Sequence, residues 1–154
     1  AFAGREIDVI MTVETKGIPL AYATAMYLNL PVVIVRRDNK VTEGSAVSIN
    51  YVSGSTKRIQ TMSLARRALK EQSRVLIIDD FMKAGGTVQG MIDLLAEFDA
   101  TVAGVGVFVE SGEVGADERL FHDYVSLARL AHVDLKTKQT TVVPGNYFDG
   151  MTIA

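Results

Sequence analysis

The 154-residue chain is long enough for one domain with its own apolar core, and at 48% apolar and 22% charged residues its composition is globular rather than disordered. It has no cysteine, which excludes disulfide staples and thiolate metal sites and is compatible with a reducing, cytoplasmic setting. A net charge of −2 and a pI near 5.7 leave no basic surplus of the kind a chain binding DNA by itself carries.

No apolar run approaches the roughly 18 residues of a membrane span, and no signal peptide is visible. The chain starts at Ala1, a few residues before a strand-like run, which suggests that a segment precedes it in a parent protein.

In chain order, Ile7 to Val13 reads as a buried strand, followed by a loop at Glu14 to Gly17. Ile18 to Leu28 carries Leu20, Ala23, Thr24, Tyr27 and Leu28 at helical spacing. Pro31 to Arg36 reads as a second buried strand, and Arg37 to Gly44 as a polar, turn-rich stretch. Val47 to Val52 alternates, Ser53-Gly54-Ser55-Thr56 is a turn signal, and Lys57 to Leu64 is partly alternating, which predicts a hairpin or flap. Ser63 to Gln72 fits either a short helix or a strand end.

Arg74 to Ile78 reads as a strand and Asp79 to Gly86 as a loop. Thr87 to Phe98 places Val88, Met91, Ile92, Leu95 and Phe98 on one helical face. Thr101 to Val109 is a further buried strand. Tyr124 to Val133 and Thr140 to Val143 are strand-like, with a turn at Lys136 to Gln139. Buried strands alternating with helices predict an α/β fold, its mostly parallel sheet covered on both faces.

The chemistry concentrates in Val75-Leu76-Ile77-Ile78-Asp79-Asp80-Phe81-Met82-Lys83-Ala84-Gly85-Gly86-Thr87. An apolar strand runs into two acids, then a glycine loop, then a helix. Carboxylates at the carboxyl end of a parallel strand stand where open α/β sheets bind ligands, and they can accept hydrogen bonds from neighbouring ribose hydroxyls. Gly85 and Gly86 allow the backbone close to a ligand. Amides at the start of the helix form an anion site, to which the Thr87 hydroxyl can add a donor. Acid pairs and paired glycines are each common alone; the ordered combination is specific.

This stretch resembles the 5-phosphoribosyl-1-pyrophosphate (PRPP) motif of type I phosphoribosyltransferases. The resemblance implies that Asp79 and Asp80 hold the ribose, and that Lys83, Ala84, Gly85, Gly86 and Thr87 hold the 5′-phosphate. Glu14-Thr15-Lys16-Gly17-Ile18-Pro19 reads by itself as a solvated turn into a helix. The resemblance makes it the pyrophosphate loop, with Thr15, Lys16 and Gly17 as ligands and a non-proline cis peptide nearby. Residues Gly44 to Thr61 match the family's flexible flap, with Tyr51, Ser53, Lys57 and Arg58 as polar candidates. Arg36 or Arg37, at the end of the second strand, would attract phosphates, and Arg36 is the residue taken as the possible additional contact. Phe81 is a candidate to stack on a purine base, with a core role as its ordinary alternative.

His122 and His132 lie at no metal-ligand spacing, and neither is assigned to chemistry. No direct metal ligand is expected. Mg2+ would arrive through the oxygens of PRPP.

Asp79 to Thr87, Asn50 to Ser55 and Arg58 to Arg67 resemble the purine operon repressors of Gram-positive bacteria, and this likeness extends over essentially the whole chain. It implies a PRPP-sensing effector domain that binds without catalysis and pairs as a homodimer. DNA would be reached only through a winged-helix domain ahead of Ala1, and purine nucleotides could compete with PRPP. The alternative is a purine phosphoribosyltransferase enzyme of the xanthine or adenine type, which needs the same ribose and phosphate contacts. A bare dimerisation module is a third reading, disfavoured by the intact motif.

Overall fold

The structure is a computed structural model and describes residues 1–37, 44–53, 56–111 and 124–151. Its elements are β1 (Val9–Val13), α1 (Ile18–Leu28), β2 (Val32–Val35), β3 (Ala46–Val52), β4 (Ile59–Ala65), β5 (Arg74–Met82), α2 (Gly86–Ala96), β6 (Thr101–Ser111), β7 (Val125–Asp134) and β8 (Gln139–Pro144). Six strands form one sheet in the order β2-β1-β5-β6-β7-β8, and β3 and β4 pair separately as an antiparallel hairpin. The sheet is parallel from β2 to β7, and β8 closes its edge antiparallel to β7.

Alternation along the strands sorts the core into two layers. Val9, Met11 and Val13 of β1 with Val75 and Ile77 of β5 meet Val88, Met91, Leu94 and Leu95 of α2. On the opposite face Ile10, Leu76 and Ile78 lie under Ala21 and Ala25 of α1. The buried face of α1 is therefore offset from the sequence reading: Ala23 is exposed and Tyr27 is 84% exposed. Small alanines leave the helix axis close to the sheet, and the aromatic ring is left outside. In α2 the expected apolar face is the buried one, with Ile92 half-buried and Leu94 added.

Cover on both faces holds for the β1–β5 half of the sheet. Farther along, on β6 and β7, Phe108 is 47% and Leu127 43% exposed. On that side α1 packs over β1, β2 and β5, while on β6 the N-terminal Phe2 lies against Gly104 and Gly106.

The hairpin pairs Ala46 with Ala65 through to Val52 with Ile59; its turn residues Gly54 and Ser55 lie outside the described residues. Val47, Tyr51, Met62 and Leu64 turn inward to join the α2-side core. The undecided stretch from Ser63 becomes the end of β4, followed by a 3-10 turn at Arg66–Ala68. Beyond β2, Arg36 exchanges two backbone hydrogen bonds with Ser63, both 2.9 Å, so the hairpin is stitched to the edge of the main sheet.

The chain leaves β1 toward β2 on one side and leaves β5 toward β6 on the other. The two loops diverge at the carboxyl ends of these adjacent strands, which is the switch point where an open α/β sheet forms its ligand crevice.

Candidate functional site at the β1–β5 switch point

A cleft of ≈ 340 Å³ occupies this position. From β1 it is lined by Glu14, Thr15 and Lys16, from beyond β2 by Arg37, and from β5 and its loop by the run from Asp79 to Thr87. The structure thus brings the proposed ribose, phosphate and pyrophosphate segments to one opening.

The sequence reading ended the strand at Ile78; β5 instead continues to Met82 because β6 pairs beside it as far as the Met82–Glu110 register. The acids are therefore strand residues, and alternation gives them different settings. Asp79 is buried, at 5% exposure, whereas Asp80 is half-buried and Phe81 is 40% exposed. Phe81 lines the cleft and is not a core residue.

The Asp79 Oδ1 accepts the Asp80 amide at 3.0 Å. Burial, then the neighbouring Asp80 charge, push the Asp79 carboxyl well above the ordinary carboxylate range, and Arg37 opposes the shift.

The loop that follows is short. Gly85 adopts φ +78°, in the left-handed region that favours glycine, and caps α2. No side chain caps this helix and no acid stands in its first turn, so its leading amides present their donors and positive dipole end to the cleft. Lys83 is exposed, and Ala84 and Thr87 are half-buried beside it. Thr87 is also hydrogen-bonded to Tyr51, whose hydroxyl burial makes harder to ionise.

Across the cleft, Thr15 and Lys16 are exposed, and the Glu14–Thr15 peptide is cis. Gly17 does not line the cleft. It is buried under the loop, where an added Cβ would lie 2.2 Å from the Thr12 Oγ1. Its contribution is the close approach that lets α1 begin directly after β1.

Of the two arginines, Arg37 lines the cleft, whereas Arg36 pairs with Glu14, Nη1 to Oε2 at 3.0 Å. Arg36 is not part of the cleft lining: its backbone is used for the hairpin bridge, and the next residue turns into the site.

Tyr51 and Lys57 also stand apart from the cleft lining. The Tyr51 hydroxyl donates to Gln60 Oε1 at 2.8 Å, and its ring packs within the hairpin–α2 layer. Lys57 holds φ +52° in the hairpin turn and donates its amide to the Ser53 carbonyl at 2.8 Å, so it is a turn residue. His132 sits exposed on β7, and His122 lies outside the described residues.

Sequence reasoning left Glu14 without a role. Two adjacent arginines, and an acid in a polar loop, carry no signal of which side chain faces inward.

Among the described residues no group of three His, Cys, Asp or Glu side chains could hold a metal ion. Two adjacent carboxylates in an open cleft fit a hard cation held mainly by its ligand's own oxygens.

The phosphoribosyl transferase domain family matches residues 1–143. The purine biosynthesis transcriptional repressor PurR of Bacillus subtilis (strain 168) is 67% identical over 146 residues, covering 95% of this chain and 50% of the relative. The chain thus spans about half the length of that relative. The xanthine phosphoribosyltransferase of Alkaliphilus metalliredigens is 32% identical over 147 residues, covering 92% of this chain and 70% of the enzyme. Among solved structures, the adenine phosphoribosyltransferase of Thermoanaerobacter pseudethanolicus superposes with a TM-score of 0.75 at 25% identity, covering 84% of this chain and 74% of that one. The mostly parallel sheet and the hairpin beside it form the type I phosphoribosyltransferase fold, and this chain belongs to the phosphoribosyl transferase domain family.

Proposed function

We propose that the chain is the effector domain of a purine-biosynthesis transcriptional repressor, and that it binds PRPP with Mg2+ without transferring the phosphoribose. The observation carrying this reading is one cleft lined by an acid pair, a glycine loop at a helix start and basic residues of a second loop, three kinds of group that suit the ribose, 5′-phosphate and pyrophosphate of PRPP. Asp79 and Asp80 accept from the ribose hydroxyls. The Lys83–Thr87 loop and the uncapped start of α2 take the 5′-phosphate. Thr15, Lys16 and Arg37 take the pyrophosphate. Mg2+ arrives on the oxygens of PRPP. The regulatory role draws on the likeness to the Bacillus subtilis repressor.

Binding without turnover is consistent with these contacts. The Asp79–Asp80 and Lys83–Thr87 contacts hold the ribose hydroxyls and the 5′-phosphate, which change little during transfer, and only contacts that strengthen in the transition state accelerate chemistry. DNA would be engaged by the remainder of a longer polypeptide, and two copies would match a two-fold operator. Phe81 at the cleft gives a purine nucleotide a surface to stack on, with the glycine loop for its phosphate, so such nucleotides would compete.

The second reading, a purine phosphoribosyltransferase, is favoured by the likeness to the xanthine enzyme. Calorimetric titration with Mg-PRPP, followed by incubation with each purine and pyrimidine base while pyrophosphate release is monitored, separates the two. Binding without release supports the effector reading. Base-dependent release abolished by Asp80→Ala leaves the enzyme.

A further inference from the structure

Glu14 follows β1 and has no contact to spare. Its amide donates to the Val35 carbonyl at 3.0 Å, continuing the sheet pairing. Its Oε1 accepts the Arg37 amide at 2.7 Å, its Oε2 accepts Arg36 Nη1 at 3.0 Å, and its main-chain carbonyl accepts Arg37 Nε at 2.7 Å. Arg37 is therefore gripped twice, at its backbone and at the inner nitrogen of its guanidinium. The terminal nitrogens of that fork remain for the cleft that Arg37 lines.

A guanidinium recognises phosphate through a planar fork, so its orientation decides its value in a way that does not apply to a lysine ammonium. The second arm of Glu14 holds Arg36, whose backbone is bonded to Ser63 of β4. One carboxylate thus joins the end of β1, the residues beyond β2 and the hairpin. Its charge is outweighed by the two arginines it binds, which leaves the cluster net positive toward an anion.

We propose that Glu14 is a positioning residue: its carboxylate fixes the Arg37 backbone, from which the guanidinium on the Glu14 carbonyl reaches the pyrophosphate group of the ligand, and through Arg36 and Ser63 it fastens that end of the site to the β3–β4 hairpin. The inference rests on the PRPP reading above and adds to it the residue through which Arg37 acts.

The test is calorimetric titration with Mg-PRPP, pyrophosphate and ribose 5-phosphate, on the wild-type chain and on Glu14→Ala, Glu14→Gln, Arg37→Ala and the Glu14→Ala/Arg37→Ala pair, with melting curves for each. Glu14→Ala is expected to weaken PRPP and pyrophosphate about ten-fold while ribose 5-phosphate changes less than about two-fold, since only the pyrophosphate meets Arg37. Glu14→Gln is expected to lose less, because its amide oxygen still accepts the Arg37 amide. The double variant is expected to bind no worse than Arg37→Ala, since a residue acting through another adds nothing once that other is gone.

The proposal is overturned by an equal loss for ribose 5-phosphate, by additive losses in the pair, or by tighter PRPP binding by Glu14→Ala. The last would make Glu14 a repelling charge. If the wild-type chain binds neither PRPP nor ribose 5-phosphate, the effector reading falls and this inference with it. Normal wild-type binding with an unaffected Glu14→Ala removes only the inference.

Discussion

Tyr51 of β3 lies so close to Gly90 of α2 that a Cβ on Gly90 would sit 2.9 Å from the Tyr51 Cβ. The same carbon would be 2.8 Å from the Met62 Cε. The hairpin is seated on the helix that carries the phosphate loop by the absence of a side chain. Gly90→Ala should gain roughly 1 kcal/mol in helix propensity and lose more than that to overpacking, because the Tyr51 Cβ is tied to its backbone and cannot swing away. A net destabilisation of about 1–2 kcal/mol is expected in urea denaturation. A stabilised variant would show that the hairpin moves off at no cost.

The buried Asp79 carboxyl makes stability depend on pH. Its ordinary value of 3.8 is pushed up to about 7 by burial and then by Asp80, with Arg37 opposing. The folded value exceeds the unfolded one, so the fold favours the protonated form. Stability is therefore highest below the unfolded value and declines as pH rises between 3.8 and about 7, after which this contribution is flat. Asp79→Asn should remove the decline and be more stable than wild type above neutrality. Melting temperatures across that range decide the point, and parallel curves for the two proteins would refute it.

The same carboxyl predicts proton release on binding. Ribose hydroxyls donate to carboxylates, so PRPP selects the ionised form of Asp79. Titrations near neutral pH in two buffers of different ionisation enthalpy should give different apparent heats, with protons leaving the protein. Identical heats would mean that Asp79 does not change protonation when the ligand enters.

Asp80 is half-buried in the cleft, and its removal takes a like charge away from the neighbouring Asp79 carboxyl. Asp80→Ala should lose a charged acceptor worth about 1.5–3 kcal/mol of PRPP affinity, while its melting temperature changes little. Unchanged affinity in a folded Asp79→Ala/Asp80→Ala protein would sink the ribose assignment.

Gly85 and Gly17 should fail for different reasons. At Gly85 the φ of +78° disfavours any side chain, so Gly85→Ala strains the loop that meets the 5′-phosphate. Weaker binding of both PRPP and ribose 5-phosphate is expected. At Gly17 the backbone is ordinary, but a Cβ would collide with Thr12 at 2.2 Å. Gly17→Ala should lower the melting temperature first, with ligand affinity following from the displaced pyrophosphate loop. Intact stability in Gly17→Ala would contradict this packing account.

The order of strand, two acids, glycines and helix was legible in the sequence because it is local. An apolar run, a φ only glycine adopts readily and a helix start are properties of consecutive residues, and they located Asp79, Asp80 and the Lys83–Thr87 loop. The helical period also placed α1 and α2 within a few residues of their ends. Facing was decided by tertiary structure. β5 runs past the acids because β6 pairs beside it, and this buries Asp79 while opening Phe81 to the cleft. Arg37 rather than Arg36 enters the site because a β4 strand distant in sequence claims the Arg36 backbone. Tyr51 joins the hairpin–helix layer because α2 offers it a glycine. Each of these choices depends on a hydrogen-bond partner or a packing partner supplied by another segment, and neighbouring residues in the sequence contain no record of that partner.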